Sequence, residues 1–183
     1  MGSSEPVVNG LGERWLDHFM AFLGEYDEVR RYPGAVGTVQ VLSFPQAITE
    51  CVVFASLGFS RLHPETEVYT VADTAFDVMP DLLGNILTFW LASGGHSLQR
   101  GMWLEISAIL SPDFITLTGK TAVYFTAPHG LPESFTAPAL RPVQMILISA
   151  AELEMLRCDD VNAFEDMLEA QEVDVFDLRR PSL

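Results

Sequence analysis

The sequence predicts an α+β fold in which a single mixed sheet carries helices packed on it. Three observations point there. In some stretches apolar residues recur at spacings of three and four, the period of a helix, and in others they gather in short runs rich in β-branched residues. The two kinds of stretch do not alternate regularly, as a doubly wound parallel sheet would require. The length of 183 residues, 49% hydrophobic and 19% charged, suffices for one domain with a sizeable core.

In chain order, residues 1–10 are rich in Gly, Ser and Pro and are expected to be a flexible leader, with a single domain over 11–183. Trp15, Phe19, Phe22, Leu23 and Tyr26 then form an apolar stripe with acids interleaved, the mark of an amphipathic helix. Arg30-Arg31 are read as its cationic C-terminal turn and Pro33-Gly34 as its stop. Val36–Leu42 and Cys51–Leu57 are expected strands separated by Phe44-Pro45-Gln46, the second buried on both faces. Glu67–Val71 alternates and predicts a third strand. Pro80-Asp81 can open a helix whose stripe is Leu83, Ile86, Leu87, Trp90 and Leu91, and Ser93-Gly94-Gly95 ends it.

Gly101–Ile106 and Thr121–Ala127 are further expected strands, with a turn or short helix around Ser111-Pro112-Asp113. The segment from Pro128 to Pro142 reads as an irregular surface loop. Val143–Ile148 is an apolar strand, and Ser149-x-x-Glu152 has capping-box spacing for the helix that follows. After the acidic break Asp159-Asp160 comes a second stripe, Val161, Phe164 and Leu168. Val173, Val175 and Leu178 then suggest a short closing strand that ends on Asp177-x-Arg179-Arg180.

Charge excludes several classes. Twenty-five acids face ten bases, a formal charge of −15, and Lys120 is the only lysine. Binding to a phosphate backbone needs a basic face, so nucleic acid is excluded as a partner, and anionic membrane surfaces are disfavoured. The same charge favours rapid capture of a basic protein. The longest nearly uncharged apolar run, Leu82–Ala92, is about half of a membrane span. With no signal-peptide pattern at the start, a soluble cytoplasmic protein is expected. Cys51 and Cys158 form no C-x-x-C pair, and buried reduced thiols are expected.

The search for chemistry finds little. His18, His63, His96 and His129 show no metal-ligand spacing, so neither a metal nor another cofactor is expected. His18 is placed on the polar side of the first helix. Gly58-Phe59-Ser60-Arg61-Leu62-His63 is the one stretch that invites a nucleophile reading, but it lacks the second glycine of G-x-S-x-G and a following helix. A turn glycine beside a hydrogen-bonding serine is the better account. A serine hydrolase using Ser60 and His63 is kept as a remote alternative, and the chain is expected not to be an enzyme.

The order of elements around these motifs resembles the suppressor-of-fused domain family. The Val143–Ile148 strand, the Ser149–Leu153 helix start and Val175–Arg180 are similar to the family's closing signature. Phe54–Ser60 resembles its characteristic turn, Glu67 matches its recurrent glutamate, and the Leu82–Ala92 helix followed by Gly101 and Trp103 fits its middle. The series covers roughly Val36 to Arg180 and resembles a stand-alone bacterial-type member. It implies a non-catalytic protein-binding domain. Animal relatives restrain a transcription factor by clamping a short peptide between this domain and a second one, and bacterial versions are thought to be immunity proteins that neutralise toxins.

From the resemblance come the expected sites. Gly58, Ser60, Glu67, Asp177, Arg179 and Arg180 carry the structural family motif, with the last three tying the closing strand to its neighbours through charge-assisted hydrogen bonds. Trp90, Leu98 and Met102 fall at partner-contacting positions, although the relatives place an acid where Met102 stands. The expected partner is a protein, most concretely a basic toxin domain. The alternative is a peptide-capturing regulator like the animal proteins, and a regulator that takes a peptide by strand addition would need an open sheet edge.

Overall fold

The structure is a computed structural model and describes residues 5–95, 97–137, 139–158 and 160–183. Its elements are α1 (Gly10–Leu23), β1 (Glu28–Gly34), β2 (Gly37–Ile48), β3 (Cys51–Leu57), β4 (Val68–Asp73), α2 (Met79–Ala92), β5 (Trp103–Glu105), α3 (Pro112–Thr118), β6 (Lys120–Thr126), β7 (Val143–Ser149), α4 (Ala150–Cys158) and α5 (Val161–Ala170). The class is α+β with a mixed sheet, as the mismatched periodicities predict. The chain divides into two compact units. One runs to Leu98 and takes in Ala127–Gln144, and the other is Gln99–Thr126 with Met145–Leu183.

In the first unit the strand order is β1-β2-β3-β4-β7. The first four are antiparallel neighbours, and β4 meets the start of β7 in parallel through Val68↔Val143 and Tyr69↔Gln144. Helix α1 starts where the Asn9 side chain accepts from the Gly12 amide, and it buries Trp15, Phe19 and Leu23. It ends earlier than expected. Gly24 adopts φ 87, a conformation that suits glycine, and its amide returns to the Met20 carbonyl. Arg30, Arg31 and Pro33 therefore lie in strand β1, which pairs with β2 through a two-residue turn. The expected break at Phe44-Pro45-Gln46 is a register shift inside β2, where proline has no N–H for the ladder.

Two more segments of this unit depart from expectation. The stretch after Pro128 is not simply a surface loop, because the buried Phe135 anchors it. Its ring stacks on His18 at 5.2 Å and meets Tyr69 edge-on at 5.4 Å. His18 is accordingly half-buried, with Nε2 2.8 Å from the Phe135 carbonyl. Burial pulls its pKa below the usual imidazole value against that hydrogen bond. Of the expected leader, Val7 exchanges two hydrogen bonds of 2.8 Å with the Gln40 side-chain amide.

In the second unit the order is β7-β6-β5. Helices α4 and α5 cover Tyr124, Ile146 and Ile148 with Leu153, Leu156, Phe164 and Leu168. The break between the helices holds, with Asp160 capping α5 at the Asn162 amide, while Asp159 lies outside the described residues. The expected closing strand does not form. Residues 173–180 run through turns, and Val173 and Val175 pack against the helical core rather than entering a ladder. Among the described residues no helix is long and apolar enough to cross a membrane.

Candidate functional site

The residues of the expected motif separate into two buried carboxylate nodes, one in each unit. The first is Glu67, at the head of β4. Chain reversal after β3 puts Gly58 at φ 110, and a Cβ there would sit 2.7 Å from the Thr38 carbonyl, so glycine is required on two counts. The turn aims three successive amides at Glu67: Gly58 N at 2.7 Å, Phe59 N at 3.2 Å and Ser60 N at 3.0 Å. Ser56 Oγ at 2.6 Å and Ser60 Oγ at 2.7 Å also donate to it. Burial pushes the Glu67 carboxyl above its ordinary pKa, and the hydrogen bonds from Ser56, Ser60 and Gly58 pull the other way. The arrangement fastens the β3–β4 connection to the sheet.

This geometry removes the nucleophile reading of Ser60. The residue is 2% exposed and its hydroxyl hydrogen is directed at a carboxylate, not at an imidazole. The His63 ring packs against Phe59 at 5.2 Å. Among the described residues no cluster of His, Cys, Asp and Glu could hold a metal ion.

The second node is Glu152. The capping box forms as the spacing predicts, with Glu152 N donating to Ser149 Oγ at 3.2 Å and Ser149 N donating to Glu152 Oε2 at 2.7 Å. The same carboxylate then receives the Arg180 guanidinium through both nitrogens, Nη1 to Oε1 and Nη2 to Oε2. Arg180 Nη2 also reaches the Leu147 carbonyl at 3.4 Å, and Lys120 Nζ donates to the Arg180 carbonyl at 3.2 Å. Burial pushes the Glu152 carboxyl up, but Arg180 and the Ser149 amide outweigh it and hold it below the usual range. Lys120, 1% exposed, is lowered to about 8 by burial and by the charge of Arg180.

Within the expected tetrad Arg180 is the residue that ties the closing segment to Glu152. Asp177 accepts from the Arg179 amide at 2.8 Å, a local turn, and both residues are exposed. Sequence reasoning missed Lys120 and a third node at Glu165. That carboxylate receives Tyr124 and Thr126 hydroxyls at 2.6 Å each and the Arg100 Nε at 2.7 Å. The available signal was Arg100, a lone cation just before an apolar strand in a chain short of bases.

The three positions expected to contact a partner fare differently. Leu98 is 1% exposed and belongs to the core, so its side chain offers nothing to a partner. Trp90 is half-buried on α2, its indole filling the space a Cβ would take at Gly95. Met102 is half-buried beside β5 in the second unit. Next to it Trp103 is exposed under the Arg157 guanidinium, 5.0 Å from the ring centroid. The structure also leaves many carboxylates outward in the second unit. Glu154, Asp160, Asp166, Glu169, Glu172, Asp174 and Asp177 are all exposed.

Comparison with known proteins agrees with this architecture. The pattern described as suppressor of fused protein (SUFU) matches residues 37–181. A search of curated proteins returns no match. A crystal structure of a suppressor of fused homolog from Neisseria gonorrhoeae superposes with a TM-score of 0.74 at 14% identity, over 94% of this chain and 96% of that one. The crystal structure of a Sufu–Fu complex superposes with a TM-score of 0.60 at 11% identity, over 93% of this chain and 91% of that one. The Gly58–Ser60 turn on Glu67 and the Arg180 tie both fall inside the matched stretch, and the chain belongs to the suppressor of fused family.

Proposed function

We propose that this chain is a non-enzymatic protein-binding domain, and that it acts as an immunity-type protein that neutralises a basic toxin by direct binding. The observation that carries the reading is the outward acidic surface of α5 and the turns after it, within a total charge of −15. Such a surface raises the encounter rate with a cationic protein and makes that rate fall with salt. Family membership supports the protein-binding part, since one of the structural relatives was solved as a Sufu–Fu complex. The engagement of Ser60 and Glu67 with each other supports the non-enzymatic part.

The test is co-expression with the polypeptide encoded beside this chain. The expected result is restored growth, a stoichiometric complex on gel filtration, and an association rate that falls as salt rises. A neighbour that is toxic but neither binds nor is silenced refutes the immunity reading.

A second reading is supported by a separate observation. Strand β5 ends the strand order of its unit, with Trp103 and Glu105 exposed, so an extended peptide could be captured there by strand addition. Met102 would lie beside such a peptide. Proline substitution at Glu105, whose amide alternates with the β6-bonded Ile106 amide and faces outward, would abolish this mode and leave capture by the acidic surface intact. Trp90, in the first unit, is tested separately by Trp90→Ala in the same binding assay.

A further inference from the structure

Ile109 and Leu117 are 62% and 55% exposed, more than any other large apolar side chain described in the second unit. Neither belongs to a loose segment. Ile106 and Phe114 beside them are buried anchors. The 3-10 turn Ser107–Ile109 is fixed by Ile106 N to the Thr121 carbonyl at 2.9 Å and by Ile109 N to the Ile106 carbonyl at 3.0 Å. Helix α3 is capped at its start by Ser111 Oγ on the Phe114 amide at 3.1 Å, and at its end by Gly119 N on the Ile115 carbonyl at 2.7 Å. Both elements pack on β6. Two apolar side chains are thus held outward on a rigid support, the arrangement of an interface anchor.

The support also holds an acid outward. Asp113, between the two in the chain, is exposed in the first turn of α3. Lys120, the cation nearest Leu117 along the chain, is turned inward, and the exposed Asp177 lies close enough to act on its charge. A second copy of this chain would bring −15 against −15, and an anionic membrane would be repelled as well.

We propose that the surface made by the 107–109 turn and α3 is the docking face for a basic amphipathic polypeptide. Its apolar side chains cover Ile109 and Leu117, and its lysines or arginines face Asp113. This deepens the binding reading above and rests on it. Apolar contact at the centre supplies affinity, and Asp113 with the net charge of −15 supplies speed and selection of sign.

The test uses the full chain and an Ile109→Ser/Leu117→Ser variant. Both side chains are exposed, so the variant should melt with wild type. The probes are a synthetic amphipathic helix of lysine and leucine, polylysine of equal charge, and the polypeptide encoded beside this chain. The expected result is that the double variant weakens the lysine–leucine helix by at least about tenfold and leaves polylysine unchanged. Asp113→Asn should slow its association. A lysine–leucine helix bound equally by variant and wild type overturns the proposal. So does a wild-type dimer that the variant abolishes. If the neighbouring polypeptide binds the variant at full affinity, this face is refuted while the immunity reading stands. If it fails to bind wild type while the synthetic helix is bound at this face, the immunity reading falls and the docking face survives.

Discussion

Replacing Arg180 by alanine should be the most damaging single change in the second unit. The substitution strips a fully buried carboxylate, Glu152, of a two-pronged cationic partner, and leaves the Leu147 carbonyl without one of its donors. Breaking a buried pair in this way costs about 3–5 kcal/mol, because the surviving charge keeps its desolvation penalty. For a chain of this length that corresponds to a melting-temperature drop of roughly 6–20 °C. Urea denaturation of Arg180→Ala would measure it, with hydrogen exchange on the α4 amides as the local readout. The double variant Glu152→Leu/Arg180→Met should recover much of the loss, since removing both charges also removes the penalty. Asp177→Ala and Arg179→Ala, at exposed positions, should each cost about 1 kcal/mol or less. If Arg180→Ala unfolds within about 1 kcal/mol of wild type, or if the exposed pair proves the more costly, the assignment of Arg180 as the tie is wrong.

Other predictions concern protons and the first node. Glu152 and Glu165 both titrate below the ordinary carboxylate value in the folded chain, so their contribution is present above that value and is lost as pH falls through their folded pKa values. Acid titration of stability should therefore be steeper in wild type than in Glu165→Gln. Lys120 acts with the same sign in the alkaline range: its folded pKa of about 8 lies below the unfolded value of 10.5, so it makes stability rise with pH between the two. Lys120→Met should flatten that rise in a pH series of urea midpoints. Glu67→Gln turns an amide N–H₂ toward the two or three donors that one carboxylate oxygen now accepts and should cost at least about 2 kcal/mol, and Ser60→Ala, losing one donor, about 1 kcal/mol. A fluorophosphonate probe should label neither wild type nor Ser60→Ala, and labelling of wild type would restore the hydrolase reading.

The parts of the fold legible in the sequence are those where local chemistry and burial agree. The capping box at Ser149 and Glu152 is a four-residue pattern with one geometric meaning, and it forms. The apolar runs at Cys51 and Val143 can be little other than buried strands. Misreadings arose where a local signal had two meanings. Arg30-Arg31 before Pro33-Gly34 suits a helix end as well as an edge hairpin, and Gly24 settles the matter by ending the helix first. Val173 and Val175 alternate like a strand but serve as plugs in a helical core. Phe135 could have been recognised, since a phenylalanine amid prolines is seldom left in water. The partner of Glu152 could not, because 28 residues separate it from Arg180 and nothing in either stretch names the other. The candidate surface was least legible of all: Leu98 and Leu117 look alike in sequence, and only packing tells that one is core and the other outward.

The inward position of Lys120 has a practical consequence. It is the sole lysine of the sequence, so the folded chain offers no lysine amine at its surface to acylation, isopeptide ligation or amine-directed cross-linking. Any covalent tag found on that nitrogen must have been attached while the segment carrying Arg180 was away from it. A brief pulse of an amine-reactive reagent, read by mass spectrometry at one residue, thus becomes a clock for how often the second unit opens, with no competing lysine to confuse the count.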